Sequence, residues 1–252
     1  MKTVALLSGG KDSLFNMLLA TQDGHDIVAI ANLKPQSSSQ DELDSYMYQT
    51  VGHQAIDRIA EALDKPLFRG DITREATNKD LDYTEPKDGD DEVEHLYNLL
   101  KQIREKDNIE FEAVCVGAIA SSYQRSRVEN VCSRMNLTML AYLWNEDQDK
   151  LLQRMIDCNF DAILIKVACI GLTKNHIGKS IKSMQEHLRY IHRKYDTNIC
   201  GEGGEYETLV LDCPLYKRRL SIDECEIVCH SDDTFAPVYF MRPKKVVLLD
   251  KN

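Results

Sequence analysis

Six consecutive residues, Ser8, Gly9, Gly10, Lys11, Asp12 and Ser13, bring two glycines, an ammonium, a carboxylate and two hydroxyls to one short turn. The glycines let the backbone approach a ligand closely, Lys11 adds a point charge, and the serines add hydroxyl donors. That combination suits phosphate. The spacing is not that of the P-loop of kinases and GTPases, where four residues separate the first glycine from Gly-Lys-Ser/Thr. A Gly-Gly turn capped by Asp12, with no ligand, is the plainer reading of the same residues.

Two further stretches are dense in reactive side chains. Gly117–Glu129 reads GAIASSYQRSRVE, in which Ser121 or Ser122 can cap a helix that carries Tyr123, Arg125 and Arg127 in its first turns. The planar arginine fork makes paired hydrogen bonds to phosphate or carboxylate. Gly201–Thr208 reads GEGGEYET. Gly201, Gly203 and Gly204 free its backbone, and Glu202, Glu205 and Glu207 flank Tyr206. Such a cluster can hold a metal through oxygen ligands, accept a proton, or face a cationic substrate. The plain alternatives are a capped helix with surface arginines and a glycine-rich hairpin with solvated glutamates.

The elements around these stretches must position them. Thr3–Leu7 is an apolar run of strand length, followed by a helical pattern with Leu14, Phe15, Leu18 and Leu19 on one face. A strand, a glycine turn and a helix start aim backbone N–H groups and the positive end of the helix dipole at one point. Asp26–Leu33 is a second buried strand and Lys34–Asp44 a polar loop. Gln49–Leu63 predicts a helix and Pro66–Arg69 a third strand. Asp71–Glu94 is rich in Asp and Glu, and reads as a solvated loop or a mobile lid. A helix through Val93, Leu96, Leu100 and Ile103 follows, then a fourth strand, Ala113–Ile119. A helix with Val128, Val131, Cys132 and Met135 leads to a fifth strand, Leu137–Leu143.

This alternation of near-continuously apolar strands with helices predicts an α/β domain, a five-stranded parallel sheet with helices on both faces. Ligands of such sheets bind beyond the carboxyl ends of the strands, where Ser8, Leu33 and Gly117 fall. The remainder predicts a helix over Asp147–Cys158, a strand over Ala162–Ala168 and a long amphipathic helix from Ile177 to Tyr195. Strand-like runs follow at Leu209–Leu211, Leu220–Cys229 and Pro237–Leu249. We read residues 1–145 as one domain and 146–252 as a second, smaller α+β domain.

The chain has 252 residues, 43% apolar and 29% charged, as expected of a soluble globular protein with a real core. Its formal charge of −10 argues against tight non-specific binding of nucleic acid, and no direct nucleic-acid partner is expected. The eight cysteines form no C-x-x-C pair, and several lie inside apolar runs such as AVCVGAI. With neither a signal peptide nor an apolar run of membrane-spanning length, the expectation is a reducing, cytoplasmic setting and no membrane partner.

SGGKDS resembles the pyrophosphate-binding PP-loop of the ATP pyrophosphatases, whose fold is HUP-like. With it, ELDSYMYQTVGHQ (Glu42–Gln54), EPKDGDDEVEHLY (Glu85–Tyr97), GAIASSYQRSRVENVC (Gly117–Cys132) and GEGGEYETLVLDCPLY (Gly201–Tyr216) resemble the diphthine–ammonia ligase family over nearly the whole chain. The sequence ends before the extra C-terminal domains that some members carry, so it resembles the short form.

The resemblance implies that ATP, as substrate, activates the carboxylate of diphthine on translation elongation factor 2 as an acyl-adenylate, releasing pyrophosphate. Ammonium then supplies the amide nitrogen, and AMP leaves. Ser8, Gly9, Gly10, Lys11, Asp12 and Ser13 would bind the phosphates, with Mg²⁺ on Asp12. Asn32 and Leu33 would border adenine, and Gly117 would lie in the same nucleotide site. Tyr123, Arg125, Arg127 and the run Gly203, Gly204, Glu205, Tyr206 and Glu207 would meet the substrate, with Lys11, Asp12, Glu202 and Glu205 in catalytic roles. The competing readings are another PP-loop enzyme, acting on tRNA, and a non-catalytic nucleotide-binding protein. The oligomeric state stays open, a homodimer being one option.

Overall fold

The computed structural model describes residues 1–36, 49, 51–73, 83 and 91–251. The segment Asp71–Glu94, read as a solvated loop or a mobile lid, lies outside the described residues apart from Asp71–Thr73, Tyr83 and Asp91–Glu94. Most of the Lys34–Asp44 loop also lies outside them. The chain divides into two compact units. One comprises Met1–Ser8, Asp12–Thr50 and Lys65–Trp144; the other comprises Gly9–Lys11, Val51–Asp64 and Asn145–Asn252.

In the first unit β1 (Lys2–Leu6), β2 (Asp26–Pro35), β3 (Leu67–Ile72), β4 (Ala113–Cys115) and β5 (Thr138–Leu140) form one parallel sheet in the order β3-β2-β1-β4-β5. The chain winds outward from β1 in one direction and then from β4 in the other, so the switch point lies between β1 and β4. Helices α1 (Lys11–Gln22), α3 (Glu92–Glu105) and α4 (Ser122–Arg134) belong to this unit almost entirely. Val4, Ala29, Ala31 and Val114 pack with Leu96, Leu100 and Ile103 of α3 and Val128 and Val131 of α4. The alternate strand residues Ala5, Ile30 and Cys115 are buried as well, and Asn16 of α1 donates to the Cys115 sulfur, so both faces are covered. Each fully buried Leu, Ile or Val in such a core contributes roughly 1.5–3 kcal/mol.

Helix ends follow their sequence signals. The Asp91 side chain accepts from Val93 N–H to start α3, and the Ser121 hydroxyl accepts from Gln124 N–H to start α4. The fourth strand is shorter than the apolar run Ala113–Ile119 suggests. Val116 N–H still bonds Leu140, but beyond it the chain turns to pass the start of α1. The helix expected over Gln49–Leu63 begins only at Ile56, giving α2 (Ile56–Leu63) after a 3-10 turn over His53–Ala55. Gly52 causes this: at φ 83 it cannot continue a right-handed helix through itself.

The second unit holds α2, α5 (Gln148–Asp157), α6 (Ile181–Tyr195) and a sheet of β6 (Asp161–Val167), β7 (Tyr206–Asp212), β8 (Arg218–Ser231) and β9 (Val238–Asp250). The strand order is β7-β6-β9-β8 and all pairings are antiparallel. Helices α5 and α6 bury Leu151, Leu152, Met155, Ile181, Met184, Leu188 and Ile191, the stripes their periodicity predicts. Ile177 lies outside α6, which starts at the Ser180 cap after a 3-10 turn over Lys174–His176. No helix among the described residues is long and apolar enough to cross a membrane.

Candidate active site

In the first unit the site grows from the switch point. The Ser8 hydroxyl donates to the Ser13 oxygen at 3.2 Å, and Ser8 N–H points at the same oxygen at 3.4 Å, closing the turn between β1 and α1. Gly117 follows β4 across the switch point. A Cβ there would lie 2.6 Å from Asp12 C and Ser13 N, closer than any side chain is tolerated. Gly117 is glycine because the start of α1 runs directly against it.

At the end of β2, Asn32 is buried and its amide is held from both sides. It donates to Leu7 O at 2.9 Å and accepts from Arg69 Nε at 2.9 Å, tying β1, β2 and β3 together at their carboxyl ends. Leu33 beside it is buried in the α3–α4 core. Behind α1, Asn16 makes a second bridge, donating to Leu140 O and accepting from Tyr142 N–H.

Arg127 is 0% exposed. Its guanidinium lies 3.3 Å from the Tyr123 ring centroid and 5.2 Å from that of Tyr83, and donates to Tyr123 O. Asp91, Glu92 and Glu94 are buried at the start of α3, and Arg134 meets Glu94 in a two-pronged pair of 2.7 and 2.8 Å. Burial, followed by the neighbouring carboxylates, raises the Tyr83 and Tyr123 phenols above their usual range. The interior position of Arg127 gives it the work of fixing Tyr123. Arg125 is more open: its Nε donates to Glu129 at 2.7 Å and its guanidinium lies 4.4 Å from the Trp144 ring centroid. Asp91, Glu92 and Glu94 fall within the acidic run and within EPKDGDDEVEHLY, which the sequence marked only as a segment. Arg134 and Arg69 had no such signal.

In the second unit, Lys11 is 2% exposed. Its ammonium donates to Cys200 O at 2.5 Å and lies 5.2 Å from the Tyr206 ring centroid, while its N–H donates to Thr208 Oγ1 at 3.0 Å. Gly9 O accepts from Val210 N–H. The glycine-lysine half of SGGKDS is therefore packed against the chain from Cys200 to Val210. Tyr206 is pinned in turn, its hydroxyl donating to Ile199 O at 2.6 Å.

The glutamates of this loop do separate jobs. Glu205 accepts from Asn198 N–H and Gly203 N–H, both at 2.8 Å, and so shapes the turn. Glu207 pairs with Lys166 at 3.1 Å across the β6–β7 ladder. Glu202 and Gly204 lie in the turn itself. Among the described residues no group of three His, Cys, Asp or Glu side chains is arranged to hold a metal. Burial pushes the thiols of Cys115, Cys132, Cys169 and Cys213 up to about 12, so none of them is a nucleophile at neutral pH. Replacing Glu205 with alanine is expected to cost about 1–2 kcal/mol, because two backbone N–H groups lose their acceptor. A lowered urea midpoint would report it, and glutamine should restore it only in part, since its single amide oxygen replaces one of the two acceptors.

Residues 1–139 match the model of the diphthamide synthase N-terminal domain, and residues 147–245 that of its C-terminal domain. The chain belongs to the diphthine–ammonia ligase family. It is 55% identical to a zebrafish diphthine–ammonia ligase, across 100% of this chain and 98% of that one. It is 51% identical to the human diphthine–ammonia ligase, across 100% and 94%. A fission-yeast diphthine–ammonia ligase is 50% identical over 92% of this chain, which spans 38% of that longer protein. SGGKDS, Gly117–Cys132 and Gly201–Tyr216 fall within the residues matched to the family's two domains.

Proposed function

We infer that this protein is an ATP-dependent diphthine–ammonia ligase. It would convert the diphthine carboxylate on translation elongation factor 2 to the amide, releasing AMP and pyrophosphate. The observation that carries the reading is the SGGKDS turn at the sheet's switch point, with Gly117 held against Asp12 and Ser13. A turn there presents backbone N–H groups and a helix start to an anion, the geometry that a departing pyrophosphate requires.

A carboxylate is a poor electrophile, so activation must come first. A substrate carboxylate oxygen attacks the α-phosphorus of ATP, and the bond to the bridging oxygen breaks. Charge builds on the pyrophosphate. The Gly9 and Gly10 backbone, the Ser8 and Ser13 hydroxyls and the Lys11 ammonium stabilise it. An ammonium has three N–H donors, so Lys11 can serve Cys200 O and a phosphate oxygen together. Ammonia, after ammonium loses a proton, adds to the acyl carbon and AMP departs.

The hard oxygen donors of Asp12, Ser8 and Ser13 fit Mg²⁺, which needs only one or two carboxylates besides phosphate oxygens and water. Bound at Asp12, it would neutralise phosphate charge. The Asn32–Leu33 edge borders adenine. Arg125 takes a phosphate or the substrate carboxylate, Arg127 positions Tyr123, and Tyr123 offers its other ring face to the quaternary ammonium of diphthine. Residues 1–145 act as the ATP-binding part and 146–252 as the substrate-binding part.

The test is a reaction containing ATP, ammonium and elongation factor 2 bearing diphthine. Equal amounts of AMP and pyrophosphate should form on turnover, with AMP released only when ammonium and the modified factor are both present. ADP with orthophosphate as the products, or release of AMP without amide, would overturn the reading.

A further inference from the structure

Strand β8 is the edge of the second unit's sheet: it stands last in the order β7-β6-β9-β8 and pairs with β9 alone among the described strands. Its outer part is exposed. From Asp223 to Ser231 every residue except Val228 is open to solvent, and Ile227 is 49% exposed. A long exposed edge offers unpaired backbone N–H and C=O groups to another strand, and proteins usually blunt it with bulges and charge. Here irregular register flanks the segment, between Glu224 and Cys225 and between Cys229 and Ser231. The stretch left regular is Cys225–Cys229, opposite Pro243–Tyr239. Its centre is Ile227.

We propose that this edge pairs with the same edge of a second copy of this chain, antiparallel, about a two-fold axis at Ile227. Charge decides the register. In a symmetric antiparallel pair a central residue faces its own copy, and residues equally far on either side face each other. Centred on Glu224 or Glu226, a carboxylate meets its own copy. Centred on Cys225, Glu224 meets Glu226. Centred on Val228, the regular stretch is cut short and Glu224 comes opposite Asp232. Like charges directly opposite destabilise a strand pair.

Centred on Ile227, no like charges meet. Ile227 faces Ile227 of the second copy, Cys225 faces Cys229, and Glu226 faces Val228. One step beyond the regular stretch, Glu224 faces the imidazole of His230 and not another carboxylate. Alternation puts Cys225, Ile227 and Cys229 on one face of the strand, so each member of this exposed apolar stripe gains an apolar neighbour across the seam. Two of the carboxylates are already held on the β9 side, Glu226 by Arg242 and Lys244, and Asp223 by Lys245. Those pairs let the edge approach its copy without a row of uncompensated negative charge.

Sedimentation equilibrium on the full chain tests this. The wild type should be a dimer, and Ile227→Lys, which sets an ammonium against its own copy, should raise the dissociation constant roughly 100-fold. Because residue 227 is exposed, the variant should keep its thermal midpoint if followed at a concentration where both proteins are monomeric. A second readout fixes the register. Cys225 and Cys229 of one chain are about 13 Å apart along an extended strand. A bismaleimide too short for that span should therefore link two chains, and Cys225→Ser should abolish the link. A wild type that stays monomeric at tens of micromolar, or a dimer indifferent to both substitutions, would overturn the proposal; so would saturable binding of a foreign strand in place of self-association.

Discussion

Replacing Lys11 with methionine is expected to lower AMP formation by about 100- to 1,000-fold, the range found when one donor to a developing oxyanion is removed. Methionine keeps the length and apolar body of the side chain and removes only the ammonium. The substitution also leaves Cys200 O without that donor in a buried place, at a cost of about 1–3 kcal/mol. Two measurements separate these effects. The urea midpoint reports the structural loss, and single-turnover AMP formation by the folded fraction reports the chemical one. Equal AMP formation by folded variant and wild type would take Lys11 out of the reaction.

Replacing Gly117 with alanine is expected to disable the nucleotide site from the other side of the switch point. The new methyl would stand 2.6 Å from backbone atoms of Asp12 and Ser13, and 2.8 Å from Asp12 O. No side chain can rotate away to relieve that clash, so the start of α1 must move. Overpacking of this kind costs typically 1–3 kcal/mol. The movement falls on the residues that would receive the phosphates, so ATP affinity should drop with stability. Calorimetric ATP titration, next to thermal unfolding, checks both. Unchanged ATP affinity would mean that the turn does not carry the phosphates.

The sheet was legible because its strands are short continuous apolar runs separated by helical periodicity, and SGGKDS marked the first turn without ambiguity. The order β3-β2-β1-β4-β5 follows from that alternation once parallel pairing and crossovers are assumed. What stayed hidden depends on contacts far apart in sequence. Nothing in SGGKDS says that its lysine is buried against Cys200 O, a backbone group with no residue signature. Nothing in SSYQRSR separates Arg125, stacked on Trp144, from Arg127, enclosed between Tyr123 and Tyr83. The glutamates of GEGGEYET looked alike in sequence, yet one shapes a turn and another pairs across a ladder. Helix starts were misjudged where the apolar stripe ran on past a turn, at Val51 and Ile177, because periodicity cannot see a 3-10 turn.

The central claim is that this chain activates a carboxylate by adenylation, and isotope transfer tests it most directly. Elongation factor 2 bearing diphthine with an oxygen-18-labelled carboxylate would be incubated with the protein, ATP and ammonium, and the products analysed by mass spectrometry. Attack by the carboxylate on the α-phosphorus predicts one labelled oxygen in AMP and none in pyrophosphate. Label in orthophosphate, or AMP without label while amide forms, would contradict the account.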